Sequence, residues 1–324
     1  MSTLRRCLVV GNKSTGSYGG GIMDSTAYDC IIQGNEAATY GGGAGYSRLY
    51  NCTVIGNSAS RYGGGVYDGT AVNSIIWGNT AAISHNHYRA QGVHNCTTPL
   101  MAGDGNIDTD PKMRGAEFGG FMLSTASPCL NAGLNNGETA FVVSASGVTN
   151  ATKAIVLDQD FFGNVRTQDG RVDMGAVEGV TNACLVMTKA VGHGSLDVSF
   201  ELLTPHSSLT VTADESVRPI DRIEISDGRI VRDPKVTLED ITTDVFITAY
   251  FKYYDFYVDA ENGDDANDGF SAATAKRTIQ AAVDCAMDGE KIFVSKGRYA
   301  PISTNDKKIE VVATDGVSLT FIDG

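Results

Sequence analysis

The chain has 324 residues, with 25 Lys and Arg against 38 Asp and Glu, 38 Gly, and a net charge of −13. That balance supplies no basic face for phosphates or an anionic membrane surface, and no run of 18 apolar residues is present to span a bilayer as a helix. At 42% hydrophobic and 19% charged, the composition is that of a Gly-rich, turn-rich β protein of one or two domains, not a disordered chain.

A repeat begins almost at the first residue. Cys7, Cys30, Cys52, Ser74 and Cys96 lie 23, 22, 22 and 22 residues apart. After each of the first four comes a short apolar run and then Gly-Asn, which sets Asn12, Asn35, Asn57 and Asn79 in phase. Tyr-Gly-Gly-Gly recurs at 18–21, 40–43 and 62–65, setting Tyr18, Tyr40 and Tyr62 in phase as well. A fixed period of this length marks a solenoid, whose repeats bury their apolar faces only by stacking. Helical repeats would need amphipathic runs of ten or more residues, and none occurs. Strand-prone triplets such as Thr53-Val54-Ile55, punctuated by Gly and Asn, predict a parallel β-helix with one coil per period.

Identical residues in phase then become ladders along the stack. The Cys column reads as buried, small side chains. Zinc sites use closely spaced Cys pairs, which are absent here, and seven Cys cannot all form disulfides within one chain. The Asn column reads as amide-to-amide hydrogen bonding, and the Tyr column as stacked rings. Asp29 falls in phase with Asn51, Asn73 and Asn95, and Asp24 with Tyr46 and Asp68.

Residues 51–67, Asn-Cys-Thr-Val-Ile-Gly-Asn-Ser-Ala and onward to Tyr-Gly-Gly-Gly-Val-Tyr, resemble repeats of bacterial right-handed parallel β-helix proteins of the pectin-lyase-like group. The stretch 103–111 resembles a late-coil motif of the same proteins. The stretches 127–133, 158–166 and 170–178 resemble their choice-of-anchor Q ending. The resemblance covers 1–179 and implies about eight coils at this period.

From 180 the period stops. Alternating apolar segments separated by Gly-His-Gly, Asp-Gly and Asp-Pro predict a small β domain over 180–252, similar to the β-grasp-like B repeats of internalins. Residues 253–324 resemble the N-terminal cap and first coil of another β-helix, with a short helix at 276–287 apolar at Ile279, Ala282, Val283 and Ala286. The fold expected is all-β, a parallel β-helix followed by a small β domain and a cap with one helix.

Enzymes on this fold use adjacent-coil carboxylates, or a Ca2+ cluster with an Arg or Lys base. No such stack of acids is in phase here, so the expected role is non-enzymatic: an extracellular or cell-surface stalk or adhesin-like module, touching polysaccharide through the tyrosines. The competing expectation is a polysaccharide lyase or glycoside hydrolase. Asp259, Asn262, Asp264, Asp265, Asn267 and Asp268 crowd hard oxygen donors into ten residues and make the best Ca2+ candidate, against an Asx-rich turn that caps its own backbone. His85, His87 and His94, and the group Asp158, Asp160, Arg166, Asp169, Arg171, Asp173 and Glu178, read as solvated turns and a salt-bridged cap. No signal peptide precedes the first coil, so the secreted context implied by the resemblance expects a longer product or a missing export signal. The expected partner is the chain itself: 253–324 caps either its own first coil or that of the next molecule, head to tail in a filament.

Overall fold

The computed structural model describes residues 2–116, 119–143, 149–166, 170–179, 183–316 and 319–323. It is all-β, with parallel stacked sheets forming a β-solenoid and almost no helix. Two compact units divide the chain, Met1–Asn182 and Ala183–Gly324.

The first unit opens with the coils. One sheet stacks Ser2–Arg5, Ser25–Tyr28, Arg48–Tyr50, Thr70–Val72 and Gln91–Val93. A second stacks Leu8–Val10, Ile31–Gln33, Thr53–Ile55, Ile75–Trp77 and Cys96–Thr97. Two shorter sheets complete each turn, and every pairing among the four is parallel. The core between them is Ala27, Cys30, Ile32, Leu49, Cys52, Val54, Val66, Ala71 and Ile76. Single left-handed residues turn the corners. At one corner these are Gly11, Gly34, Gly56 and Gly78, and at another Arg6, Asp29, Asn51, Asn73 and His94. Short polar side chains tolerate that conformation, which explains why Asp and Asn dominate the second corner.

Register corrects the reading of the fourth coil. Thr70 pairs with Gln91 and Ile75 with Cys96, a step of 21 residues. Cys96 therefore lies under Ile75, and Asn95 takes the place below Ser74, where its Oδ1 accepts the Ser74 N–H at 2.9 Å. His94, not Asn95, continues the Asp29 corner. The regular stack also ends earlier than eight coils. A last parallel bridge joins Cys96 to Ile107, and beyond it come two antiparallel strand pairs, Met113–Arg114 with Met122–Leu123 and Thr139–Val143 with Thr149–Lys153, as the chain returns against the coils. Ala176 donates to Thr53 Oγ1 at 3.0 Å, and Leu134 to Asn73 Oδ1 at 2.7 Å.

In the second unit, Cys184–Val191 and Val245–Phe251 pair in parallel at the centre of a five-stranded sheet. A three-stranded sheet, containing Ser207–Asp214 and Lys235–Ile241, closes a core of Val186, Val211, Ile223, Val236 and Ile247. Asp255–Val258, Lys291–Val294 and Glu310–Ala313 then stack in parallel. The helix Ile279–Cys285 starts at Thr278, whose side chain accepts the Ala281 N–H, and it buries Ile279, Ala282 and Val283. It is shorter than the expected 276–287 because Lys276 and Arg277 are drawn into the preceding loop.

Candidate functional site

The ladders set the geometry of the solenoid's faces. Asn12, Asn35 and Asn57 each present N–H and Nδ2 to the Oδ1 of the next asparagine at 2.9 Å, and Asn79 closes on Asn86 at 3.0 Å. Asn86 stands where earlier coils have the third Gly of the repeat. The Cys column is also a hydrogen-bond ladder. The Cys7 N–H reaches Cys30 Sγ at 3.4 Å and the Cys52 N–H reaches Ser74 Oγ at 3.1 Å. A thiol, hydroxyl or amide serves equally as acceptor, so Ser74 and Asn95 fit a column that Cys7 begins.

Tyr-Gly-Gly-Gly builds the most distinctive face. Bridges pair Tyr18 with Tyr40, Tyr40 with Tyr62 and Tyr62 with Ile83. Ring centroids stand 4.9 Å apart for Tyr18–Tyr40 and 5.8 Å for Tyr40–Tyr62, both stacked, and Tyr88 extends the row with its ring 4.4 Å from Tyr62. Tyr67 and Tyr46 join from the neighbouring strand column, where Gly45 leaves room for the rings. The glycines are a packing demand: a Cβ on Gly64 would sit 2.1 Å from the Thr80 carbonyl oxygen. Arg61 lies 5.1 Å over the Tyr62 ring and donates to the Tyr40 hydroxyl at 3.3 Å. Desolvation, and then the Tyr18 hydroxyl, push the Tyr46 hydroxyl up to about 12, so it stays a donor at neutral pH.

Because the rings cover one another's faces, the row offers solvent its edges and hydroxyls, with exposed Met23 and Ile83 beside it. Tyr46 separates Asp24 from Asp68 along their column, and Asp68 pairs with Arg89 at 3.4 Å. The face therefore brings no two carboxylates together with a base. Its chemistry is hydrogen bonding and edge contact.

The acidic loop of the second unit is engaged from within. Asp259 accepts N–H groups of Glu261 and Asn262, Asp264 that of Ala266, Asp265 those of Arg277 and Thr278, and Asp268 that of Phe270. Asn267 donates to the Ala275 carbonyl. The buried Lys276 ammonium donates to the carbonyls of Asp265 and Asn267 at 3.1 and 2.7 Å, placing a fixed cation within the loop. Among the described residues, no group of three His, Cys, Asp or Glu is arranged to hold a metal ion. His85, His87 and His94 go separate ways, to Ala81, Pro99 and Ala132.

Sequence reasoning grouped Asp158, Asp160, Arg166, Arg171, Asp173 and Glu178. The structure brings Asp160, Arg166, Asp173 and Glu178 together in the interior and adds Asp29 from the second coil. Asp158 is exposed and Arg171 is half-exposed beside Glu138, while Asp169 lies outside the described residues. A cleft of about 520 Å3 lined by Arg5, Arg6, Leu157, Asp158, Gln159 and Val165 opens nearby. A scan against protein-family models, a search of curated proteins and a search of solved structures each return no match.

Proposed function

We propose that the chain is a non-enzymatic module of an extracellular or cell-surface protein, of the pectin-lyase-like β-helix type with a choice-of-anchor-like ending and an internalin-like spacer. It acts as a stiff stalk that meets polysaccharide along its tyrosine row. The observation that carries this reading is the row itself, with Tyr18, Tyr40 and Tyr62 in register over three coils, Tyr88 stacked beyond them, and no carboxylate pair beside it among the described residues. Hydroxyls repeated at the coil spacing match a ligand that is itself a repeating, hydroxyl-rich polymer. Affinity electrophoresis against neutral and acidic polysaccharides tests it. Retardation that disappears in a Tyr18→Ala, Tyr62→Ala double variant supports the reading, and retardation unaffected by the substitutions rejects it. Incubation with the same polysaccharides, with and without Ca2+, tests the lyase or hydrolase alternative through release of unsaturated or reducing ends.

Self-association belongs to the same reading. Ser2–Arg5 and Leu8–Val10 are terminal strands of their sheets, as are Glu310–Ala313 and Thr320–Ile322 at the opposite polarity. Among the described residues each is paired along one edge, and Leu8, Val10, Phe321 and Ile322 are exposed. Head-to-tail joining of these edges gives a filament. Light scattering of the full chain over a range of concentrations checks this, and a monomer throughout argues against it.

A further inference from the structure

Arg166 fastens the returning segment to the coils. It is 1% exposed, and its partner Asp29, 137 residues earlier, is 0% exposed. Nε donates to Asp29 Oδ1 at 2.9 Å, Nη2 reaches the same oxygen, and Nη1 donates to Glu178 Oε2 at 3.3 Å. Asp160 and Asp173 complete the cluster, both buried. Arg6, exposed and bonded to Gln159, faces it from the first coil, and the thiols of Cys30 and Cys52 lie beside Asp29.

Four buried carboxylates thus surround one buried guanidinium. Asp160 accepts the N–H groups of Phe162, Asn164 and Glu178, and Asp173 accepts those of Asn131 and Gly179. Asp29 and Glu178 share the one cation that remains. Asp29 Oδ2 is buried with no hydrogen-bond partner among the described residues. Leaving both carboxylates ionised would strand a negative charge in the interior.

We propose that this clasp binds a proton shared between Asp29 and Glu178, so that the returning segment is held more tightly in mildly acidic than in alkaline solution. Burial, against the pull of Arg166, pushes Asp29 up to about 6, and burial likewise pushes Glu178 up to about 7. Both lie above the ordinary values of 3.8 and 4.5, so the folded chain holds more protons than the unfolded one between those limits. The stabilisation is complete below about pH 4 and is lost as pH rises through 6 and then 7.

Hydrogen exchange of the intact chain, corrected for intrinsic rates, reads the clasp through peptides covering 158–166 and 170–179. Protection there is expected to rise at least about tenfold from pH 8 to pH 5.5, the effect of one pKa unit. In an Asp29→Asn, Glu178→Gln double variant that dependence is expected to flatten. Protection that is constant or falls on acidification overturns the proposal, as does an unchanged slope in the double variant. If that variant does not fold, infrared spectroscopy of the wild-type protein decides: a protonated carboxyl band persisting at pH 6 supports the shared proton, and its absence overturns it. Ca2+ added at pH 8 is expected to leave these peptides unchanged. Protection restored by Ca2+ would make a metal the missing charge and defeat the proposal.

Discussion

Arg166 in the solenoid and Arg218 in the C-terminal unit are both buried, and each grips a carboxylate distant in sequence, yet their surroundings differ. Arg218 meets Glu290 through two parallel bonds of 3.0 and 2.8 Å, and its remaining N–H groups reach the Val217 and Cys285 carbonyls. Glu290 also accepts the N–H groups of Tyr254 and Met287. Burial would raise Glu290, but Arg218 and those donors outweigh it and hold the carboxyl below its usual range. Around Arg166 the acids outnumber the cation, and Asp29 and Glu178 move up instead. Counting charges and hydrogen-bond donors around an ion pair, beyond the pair itself, decides the sign of its pH response.

Substituting the two arginines gives the largest expected effects. Arg166→Met should cost about 3–5 kcal/mol at pH 8, where it strands buried carboxylates, and well under half of that at pH 5, where they take up protons. Urea unfolding at the two pH values checks this, and a cost independent of pH breaks the contrast. Arg218→Met should cost a similar 3–5 kcal/mol, constant from pH 8 to pH 6. Because Glu290 is depressed, its contribution is present above 4.5 and is lost only as pH falls through its folded value. Thermal unfolding across that range tests the sign.

Asn57→Ala serves as the uncharged reference. It orphans the Asn35 N–H and the Ile32 carbonyl, so a loss of about 2–3 kcal/mol with no pH dependence is expected. The smallest effect belongs to Cys52→Ser, about 1 kcal/mol or less by chemical denaturation, because Ser74 already fills that column as an acceptor. A larger loss would mean that sulfur volume, not the ladder bond, holds the column.

The period, the ladders and the Tyr-Gly-Gly-Gly corner were legible because each is a local signal repeated in phase. The shortened fourth coil was not. The step from Ser74 to Cys96 keeps a spacing of 22 in sequence while the register runs at 21, since a residue lost between Thr80 and Ile83 brings Asn95 into the column and moves Cys96 under Ile75. Arg166 was visible as a charged cap residue, but its partner Asp29 read as one more corner position. Periodicity describes what neighbouring coils share and carries nothing about a contact made once, 137 residues away. The acidic loop was legible as a dense set of oxygens, but not the ammonium of Lys276 set among them.

The lost residue in the fourth coil has a use. Ser58 pairs with Thr80 at the full step and Tyr62 with Ile83 at the short one, so the stack absorbs a change of length at this corner and keeps its strands aligned on both sides. Ala82 and Ile83 are exposed there. Each doubling of a flexible loop costs only about 0.6 kcal/mol in closure entropy. A foreign peptide grafted between these two residues would be displayed as cargo on the flank of the coils, at a height along the stack set by the repeat itself.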